Sequence, residues 1–573
     1  MGYDCHEFCN GQILDAEALN EMERGILNSI RHTKQNLAPE QQAQARANIG
    51  AAASTVVNVK DFGAVGDGIA DDQQAIKDAF DYALQHLPCE VYFPAGEYGI
   101  LSGGITVEMP KGSGGLTISG DGKNLSTIKY LENWQTNGTW YAIRVAPVGY
   151  LANQPTDENE YLHDIMIRDL AVYDTDPINH AWNVEKGDSS TEETHGFDIQ
   201  FCKRATVKDC FIANVGDEAI DIYSCVDVLV TGNNIIDSPA AGGAGGAISI
   251  GDGTKNAVVS NNTVNGSNPN KNNFGIAVES LFIPVSNVTI TGNTVSNIYG
   301  RGINIGATNA GSGVTGLVVS DNVISNITGE GVGIGTEGSY SKDAQINGCT
   351  IYNCKVGIYT AYCNARVSGC IISDISETAV KMITHLHGCH IRNVQGQAVL
   401  VDGKCIIRDC VFDGIALGET KPTGAIQQFS TSAVLEVYNT KLTNIQCDKG
   451  IHNGAKFVNV DVELVGTTGD AFSGTLNKYI YGGKINGRIT TIQNNGIIDG
   501  LTIESTKNLW NAPIVLADKT GVIVTNCHII LTSYDAIKES GTSDKNLIVN
   551  NVVNRGITVI GANTVKEHNI YIG

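Results

Sequence analysis

Charge is scarce in this chain. Asp, Glu, Lys and Arg make up 17% of its 573 residues, against about 25% in an ordinary soluble domain. A chain that cannot dress a large surface in charge must cover much of it with its own neighbours. Proline is also sparse, at 12 residues, which leaves the backbone free for uninterrupted strand pairing. No run of about 18 apolar residues occurs, so no membrane-crossing helix and no membrane insertion are expected. The opening MGYDCHEFCN lacks the basic and apolar regions of a secretory signal, so no signal peptide is expected. Basic residues are outnumbered 38 to 60, and the net charge of −22 excludes nucleic acid and anionic membrane as partners. There is no phosphate-binding Walker loop, no Gly-x-Ser-x-Gly elbow and no HExxH pair. The 15 cysteines show no recurring CxxC at zinc spacing; Cys5 and Cys9 have only His6 nearby. Neither a metal nor a cofactor is expected, and an odd cysteine count fits folding in a reducing cytoplasm better than a disulfide framework.

What the chain has in quantity is glycine, 66 residues, and repetition. Between residues 195 and 445 one phrase recurs: a small residue, an apolar one, any residue, an apolar one, then a variable stretch, a second apolar alternation, a polar turn pair, and Asn or Cys before a third alternation. Its third residue is successively Asp198, Asp221, Ser249, Ala277, Asn304, Gly333, Tyr359, Lys381, Leu400 and Gln427, at gaps of 19 to 29 residues. A repeat of that length marks a solenoid, and alternation with a period of two makes its turns strands rather than helices. The architecture is all-β, a parallel β-helix. The residue after the turn pair forms a second column: Cys210, Asn233, Asn262, Asn293, Asn322, Cys349, Cys370, Cys389, Cys410 and Thr440, returning at Cys527 and Asn551. Stacked ~4.8 Å apart, these residues serve as an internal ladder, with Asn bonding backbone groups freed at each bend and Cys filling the same slot.

Three regions follow from this pattern: 1–55, 56–475 and 476–573, the last read as further coils or a trimerisation region. In the first, Leu19, Met22, Ile26 and Ile30 step as a short coiled-coil seam, which points to oligomerisation. Residues 37–53, LAPEQQAQARANIGAAA, resemble a motif of bacteriophage tail-fibre and other tail proteins. The stretch VNVKDFGAVGDGIADDQQAIKDAFDYAL (57–84), followed by VYFPAGEYGI (91–100), resembles the N-terminal signature of pectate-lyase-like right-handed β-helix proteins, among them phage tailspikes. Within it, Asp71 is expected to cap the helix with Gln74 as its partner, and Ile76, Phe80 and Leu84 to form its apolar face over the open end of the solenoid. Loop and cap roles account for Asp61, Asp67, Asp71 and Asp72 without a metal. Two non-repeating stretches, 132–163 and 175–194, carry Trp134, Trp140, Tyr141, Tyr161, His180 and Trp182, either a sugar-stacking platform or a satellite core.

Chemistry is expected where the outward column is acidic. Asp198 and Asp221 would lie one rung apart, with Asp217, Glu218 and His195 beside them. Like-charged carboxyls that close separate their pKa values, so that one holds a proton while another is ionised, as glycosidic cleavage needs. The phrases HGFDI and GDEAIDI resemble a pattern of polygalacturonase-type glycoside hydrolases. That resemblance places the paired carboxylates on Asp217 and Glu218. It departs at His195, where the family has Asp, and in GGAISIGDG (245–253), which lacks the family's Gly-His-Gly. The catalytic candidates are Asp198, Asp217, Glu218 and Asp221, with Glu218 as the acid. Substrate contacts are expected from His195, Tyr223, Asp252, Glu279 and Trp182. The small outward residues Ser249, Ala277, Gly306 and Gly335, near Glu337, suggest an open groove for a polymer, and Arg301 could reach the acidic rungs from a later coil. The resemblances together imply a homotrimeric phage or prophage tail protein, a tailspike. It would be made in the host cytoplasm, attached to the tail or baseplate by its N-terminus, and would act outside the cell on a bacterial surface polysaccharide that it binds and depolymerises. The alternative is a non-catalytic structural or receptor-binding fibre that uses the solenoid as a rod.

Overall fold

The computed structural model describes residues 55–573 apart from 102, 132–137, 176–191, 239–244, 267–272, 308, 310, 338–340, 362, 431–433, 466–468, 475–477, 491 and 506–510. The coiled-coil seam, the tail-protein motif at 37–53, Trp134, His180 and Trp182 lie outside the described residues. The site is carried by the unit Val56–Gly573.

That unit is a right-handed parallel β-helix. Each coil contributes three short strands, one to each of three faces. Glu192–Gln200, Cys202–Lys208 and Phe211–Ala213 make one coil; Ile220–Tyr223, Val226–Thr231 and Asn234–Ile236 make the next. Every strand pairs in parallel with its counterpart one coil on, so Phe197 lies beside Ile220 and Thr206 beside Leu229. Alternation decides which side chains enter: in the first of these strands Phe197 and Ile199 are fully buried, and Asp198 between them points away from the interior stack. The same alternation fills the interior from Val57 to Ile557. Parallel pairing runs on from Lys456–Leu464 without a break to Ile570–Tyr571, so residues beyond 475 are further coils.

The internal ladder is present. The Asn233 backbone N–H donates to Asn262 Oδ1 at 3.0 Å, Asn262 in turn to Asn293 at 2.9 Å, and Asn293 to Asn322 at 3.0 Å. Each side-chain amide also reaches back to the carbonyl of an earlier coil, as Asn293 does to Val259 at 2.9 Å. Cysteine continues the column by donating to the carbonyl two residues before it, at 3.2 Å for Cys210 and 3.1 Å for Cys410. All 13 described cysteines are buried and free. The turn pair before the ladder also has a reason: its last residue takes a left-handed conformation, at Asp209, Gly232, Asn261 and Gly292 among others, which Gly, Asn and Asp enter at least cost. Asn293→Ala leaves unmet the Val259 carbonyl that its amide served and the Asn262 N–H groups that its Oδ1 accepted. At ~1–3 kcal/mol per unmet buried group, the expected loss is ~3 kcal/mol or more by urea denaturation, with Asn293→Cys milder. A loss near the ~0.5 kcal/mol of an exposed substitution would show the ladder to be incidental.

The N-terminal end is closed by the helix Gln73–Leu84, which buries Ile76, Ala79, Phe80 and Ala83. The apolar face is thus turned toward the alanines, and Leu84 is only half-buried. The cap differs by one residue from the expected one. Asp72 occupies the N-cap position without a side-chain cap bond; its carboxylate instead accepts the N–H groups of Val65, Gly66 and Gly99 at 2.6, 3.1 and 3.3 Å. Asp71 accepts from Gln73 N at 3.1 Å, and Gln74 bonds Asp78 rather than closing a capping box.

One rung assignment slips. The partner of Asn304 is Gly335, not Gly333, and Gly335 in turn pairs with Tyr359. Between Tyr299–Arg301 and its counterpart Thr328–Val332 the later coil carries two extra residues, accommodated where Gly329 and Gly331 have positive φ.

Candidate functional site

On the first face, the outward column reads Thr106, Arg144, Asp198, Asp221, Ser249, Ala277, Asn304. The sequence reading begins this column at Asp198. The coil before it, Gly138–Pro147, belongs to the same face, and its Arg144 lies beside Asp198 because Ile143 and Val145 fill the inward positions. The Arg144 guanidinium bonds Asp198 Oδ2 and, at 2.7 Å, the Tyr150 hydroxyl. It lies 3.4 Å from the centroid of the Tyr141 ring, and Gln200 adds an amide hydrogen bond to Asp198 at 3.0 Å. Asp198 is fully buried. It forms the floor of the site.

One row along, His195 pairs with Tyr141 and stacks on its ring, with centroids 4.5 Å apart. Tyr130 holds the His195 backbone from below through its carbonyl at 2.8 Å. His195 Nδ1 faces Glu218 Oε2 at 2.9 Å. Glu218 and Asp217 sit on the turn entering Ile220–Tyr223. That turn is fixed by Thr194, which takes N–H groups from Gly216 on its hydroxyl and from Asp217 on its carbonyl, both at 2.9 Å. From the next coil Gly245 approaches so closely that a Cβ there would collide with Glu218 Oε1 and Asp217 Oδ1. His195, Asp217 and Glu218 each offer one ligand atom within 4.8 Å of the others. These three are the residues that could hold a cation, although the His195–Glu218 contact already occupies one donor of the set.

The four expected carboxylates therefore converge, but in two layers. Asp198 and Asp217 are buried, whereas Asp221 and Glu218 are partly open to solvent. Asp221 makes no hydrogen bond to any described residue. Burial pushes its carboxyl well above the usual range, and the charges of Asp198 and Glu218 push it further, against weaker pulls from His195 and Arg144. Burial also raises Asp198, opposed by the charge and hydrogen bond of Arg144. Glu218 goes the other way: burial acts to raise it, but the hydrogen bond and charge of His195 hold it below the ordinary carboxylate value. The accessible pair thus consists of one carboxyl that keeps its proton and one that gives it up readily.

Other expectations for this face are revised. Asp252 is buried, and its carboxylate accepts the N–H groups of Leu281, Phe282 and Ile283 at 2.6, 3.0 and 3.3 Å. It shapes a turn instead of facing a ligand, and that turn presents Phe282, 73% exposed. Tyr223 stands next to this region with its ring edge-on to Phe201 at 5.7 Å. Tyr161 packs on the other side of Phe201, so with Tyr150 and Ala146 these aromatics make a satellite core. Trp140 is half-buried against the main core. Glu279 is half-buried, on the rung of Gly306. The run of small residues is no open groove: Ser249, Ala277, Gly306 and Gly335 are all buried. At Gly335 the cause is Arg301, whose Cδ would lie 2.9 Å from a Cβ. Arg301 is itself held by Glu330 at 2.8 Å and Asn304 at 2.9 Å. Arg144 and Gly245 were the residues missed.

Residues 56–313 match the family described as rhamnogalacturonase A/epimerase, pectate lyase-like, and residues 310–442 match the right-handed β-helix region family. Together the two matches span residues 56–442. Among curated proteins, mannuronan C5-epimerase AlgE1 of Azotobacter vinelandii is 29% identical over 225 residues, which is 33% of this chain and 16% of that protein. Plasmin and fibronectin-binding protein A of Streptococcus pneumoniae is 62% identical over 45 residues, 8% of this chain and 6% of the relative. The matches span less than a fifth of either relative's length. Among solved structures, the catalytic unit of a GH87 alpha-1,3-glucanase from Streptomyces thermodiastaticus aligns at 17% identity and a TM-score of 0.45, over 74% of this chain and 70% of that one. Geobacillus virus E2 ORF18 aligns at 15% identity and 0.33, over 76% and 66%.

Proposed function

We propose that this protein cleaves glycosidic bonds in a polysaccharide, with Asp221 as general acid and Glu218 as base or nucleophile. The observation that carries the reading is the convergence of Asp198, Asp221 and the His195-bound Glu218 on one face, with Asp221 and Glu218 reaching solvent and their surroundings pushing the first carboxyl up and holding the second down. The role expected for Glu218 is therefore reassigned, because a residue bonded to His195 is poorly suited to keep a proton. In hydrolysis Asp221 gives its proton to the leaving glycosidic oxygen as the C–O bond breaks. Water adds to the anomeric carbon, directly or after Glu218 has done so, and its proton ends on a carboxylate. Burial, and after it the charges of Asp198 and Glu218, keep Asp221 protonated. The similarity of residues 56–313 to a family of rhamnogalacturonases and epimerases, and the mannuronan epimerase relative, support a polysaccharide as substrate. Phe282 offers an exposed ring on which a sugar face can stack.

In the same reading the protein is a trimeric tailspike, anchored by its first 55 residues to a phage tail and acting outside the cell on a surface glycan. The motif at 37–53 and the seam from Leu19 to Ile30 support that placement. A second reading, a binding fibre without turnover, is favoured by one observation: the short, 62% identical match to a plasmin- and fibronectin-binding protein. The two separate when the protein is incubated with mannuronan, rhamnogalacturonan and capsular glycans and new chain ends are counted. Cleavage is expected from the wild type, ~10²–10⁴-fold less from Glu218→Gln, and a raised KM with kcat kept from Phe282→Ala. Glycan that binds but is never shortened would leave the fibre standing.

A further inference from the structure

On a different face, toward the middle of the solenoid, basic side chains gather in a chain of net charge −22. A cleft of about 270 Å³ is lined by Asp343, Asn364, Arg366, Thr384, His385, Lys404 and Ile406. Arg366, His385 and Ile406 occupy one outward column on consecutive rungs, so Arg366 and His385 stand about one strand spacing apart, and Lys404 lies two residues before Ile406. Thr384 is fixed by its hydroxyl to the Ala365 carbonyl at 2.9 Å and meets His385 Nδ1 at 3.2 Å. Several arginines elsewhere on the protein are paired with carboxylates: Arg204 meets Asp164 at 2.6 Å, Arg168 meets Glu90 and Asp169 at 2.9 and 2.7 Å, and Arg488 meets Asp470 at 2.9 Å. Arg366 and Lys404 have no carboxylate within ion-pair distance among the described residues, although Asp343 lines the same cleft. Arg408, the next cation along, is turned onto the Tyr438 ring at 4.3 Å.

We infer that this cleft is a binding site for the oxyanion of an acidic glycan, a uronate carboxylate or a sulfate ester, taken by Arg366 and Lys404 with Asn364 as a neutral donor. Arg366 and Lys404 flank the rung of His385; the two cations repel one another, and an anion bound between them relieves that cost. The environment of His385 agrees: burial first, then the charges of Arg366, Lys404 and Arg408, hold its imidazole below the ordinary value, the mark of a locally positive field in an acidic protein. The field reaches only about a Debye length, ~8 Å in physiological salt. It therefore grips a charged sugar at the cleft and does not reverse the repulsion of the whole molecule. The rungs of Arg366 and His385 are several coils past Asp221, so a long polymer could touch both. The site does not depend on turnover, and a fibre that never cleaves would use it equally.

Calorimetric titration of the full chain with trigalacturonate, with a sulfated trisaccharide and with a neutral trisaccharide tests this directly. Expected are binding of at least one charged sugar about tenfold or more tighter than the neutral one, weakening as salt rises, and a tenfold or greater loss in Arg366→Gln/Lys404→Gln. Both positions are exposed, so the melting temperature of the double variant should stay at the wild-type value, which separates lost binding from lost folding. Preference for the carboxylated or the sulfated sugar names the oxyanion. Equal affinity for charged and neutral sugars, or charged binding that the double variant leaves intact, overturns the assignment. A protein that cleaves nothing but passes this titration would lose the proposed hydrolysis and keep the anion site.

Discussion

Asp221→Asn is expected to abolish turnover and to stabilise the protein at neutral pH. As the proposed acid, Asp221 supplies a proton that an amide cannot give, which costs ~10²–10⁴-fold in rate. The stability effect follows from linkage. Burial and the charges of Asp198 and Glu218 raise the folded-state pKa of Asp221 well above its usual value, while the unfolded chain titrates near ~3.9. The favourable contribution is therefore complete below that value. It is lost as pH rises through the raised folded pKa, because the folded site must then hold an unwelcome charge. The amide never acquires that charge. The melting temperature of the variant minus that of the wild type should thus be small near pH 4 and grow toward pH 8. In the wild type the same proton limits activity from above, and protonation of Glu218, held low by His195, limits it from below. The profile should be bell-shaped, its two limbs belonging to the coupled pair. Melting curves with a difference that is flat or shrinks as pH rises would remove Asp221 from the protonated role.

The fold was legible because a solenoid writes its geometry into the chain once per coil. The ladder could be read residue by residue, since each bend needs one small donor beside one left-handed turn residue. The reading slipped at Gly333 because the coil around Gly329 and Gly331 carries two extra residues, and a count along the chain has no means of placing a bulge. Asp198 and Asp221 were legible from a period of two. Arg144 was not: it lies 54 residues before Asp198, across the non-repeating stretch, and its strand precedes the first recognised phrase. Only the alternation of Ile143, Arg144 and Val145 announced it. That the carboxyls would differ in protonation was legible, but which of them keeps the proton was not. That depends on His195 of one coil meeting Glu218 on the turn of the next, a contact that spacing permits but does not specify. Asp252 shows the reverse error: an acidic residue beside an acidic column looked like part of the site, but three backbone N–H groups had already claimed it.

The floor of the site is where a single substitution should do most damage to the fold. Arg144 and Asp198 are a buried pair, the arginine side chain 12% exposed and the aspartate fully covered. Removing one member leaves the other charge uncompensated, at ~3–5 kcal/mol, whereas replacing both with neutral groups is often close to neutral. Arg144→Met should therefore lose about that much stability. The loss should be greatest at high pH, where the stranded Asp198 cannot escape its charge, and smaller in acid, where it can take a proton. Arg144→Met/Asp198→Asn should recover most of the loss, since Gln200 can still bond the amide and Met can still cover Tyr141. The double variant should also change the chemistry. The double variant removes the Asp198 charge that raises the Asp221 pKa together with a weaker opposing pull from Arg144, so on balance the upper limb of the activity profile should move to lower pH while the lower limb, set by His195 and Glu218, stays in place. Denaturation of the two variants and the parent at pH 5 and 8, with pH profiles of the two that fold, tests both halves. A single variant as stable as the parent would mean that the guanidinium is not what keeps Asp198 buried. An unmoved upper limb in the double variant would mean that Asp221 owes its proton to burial and Glu218 rather than to the Asp198 charge.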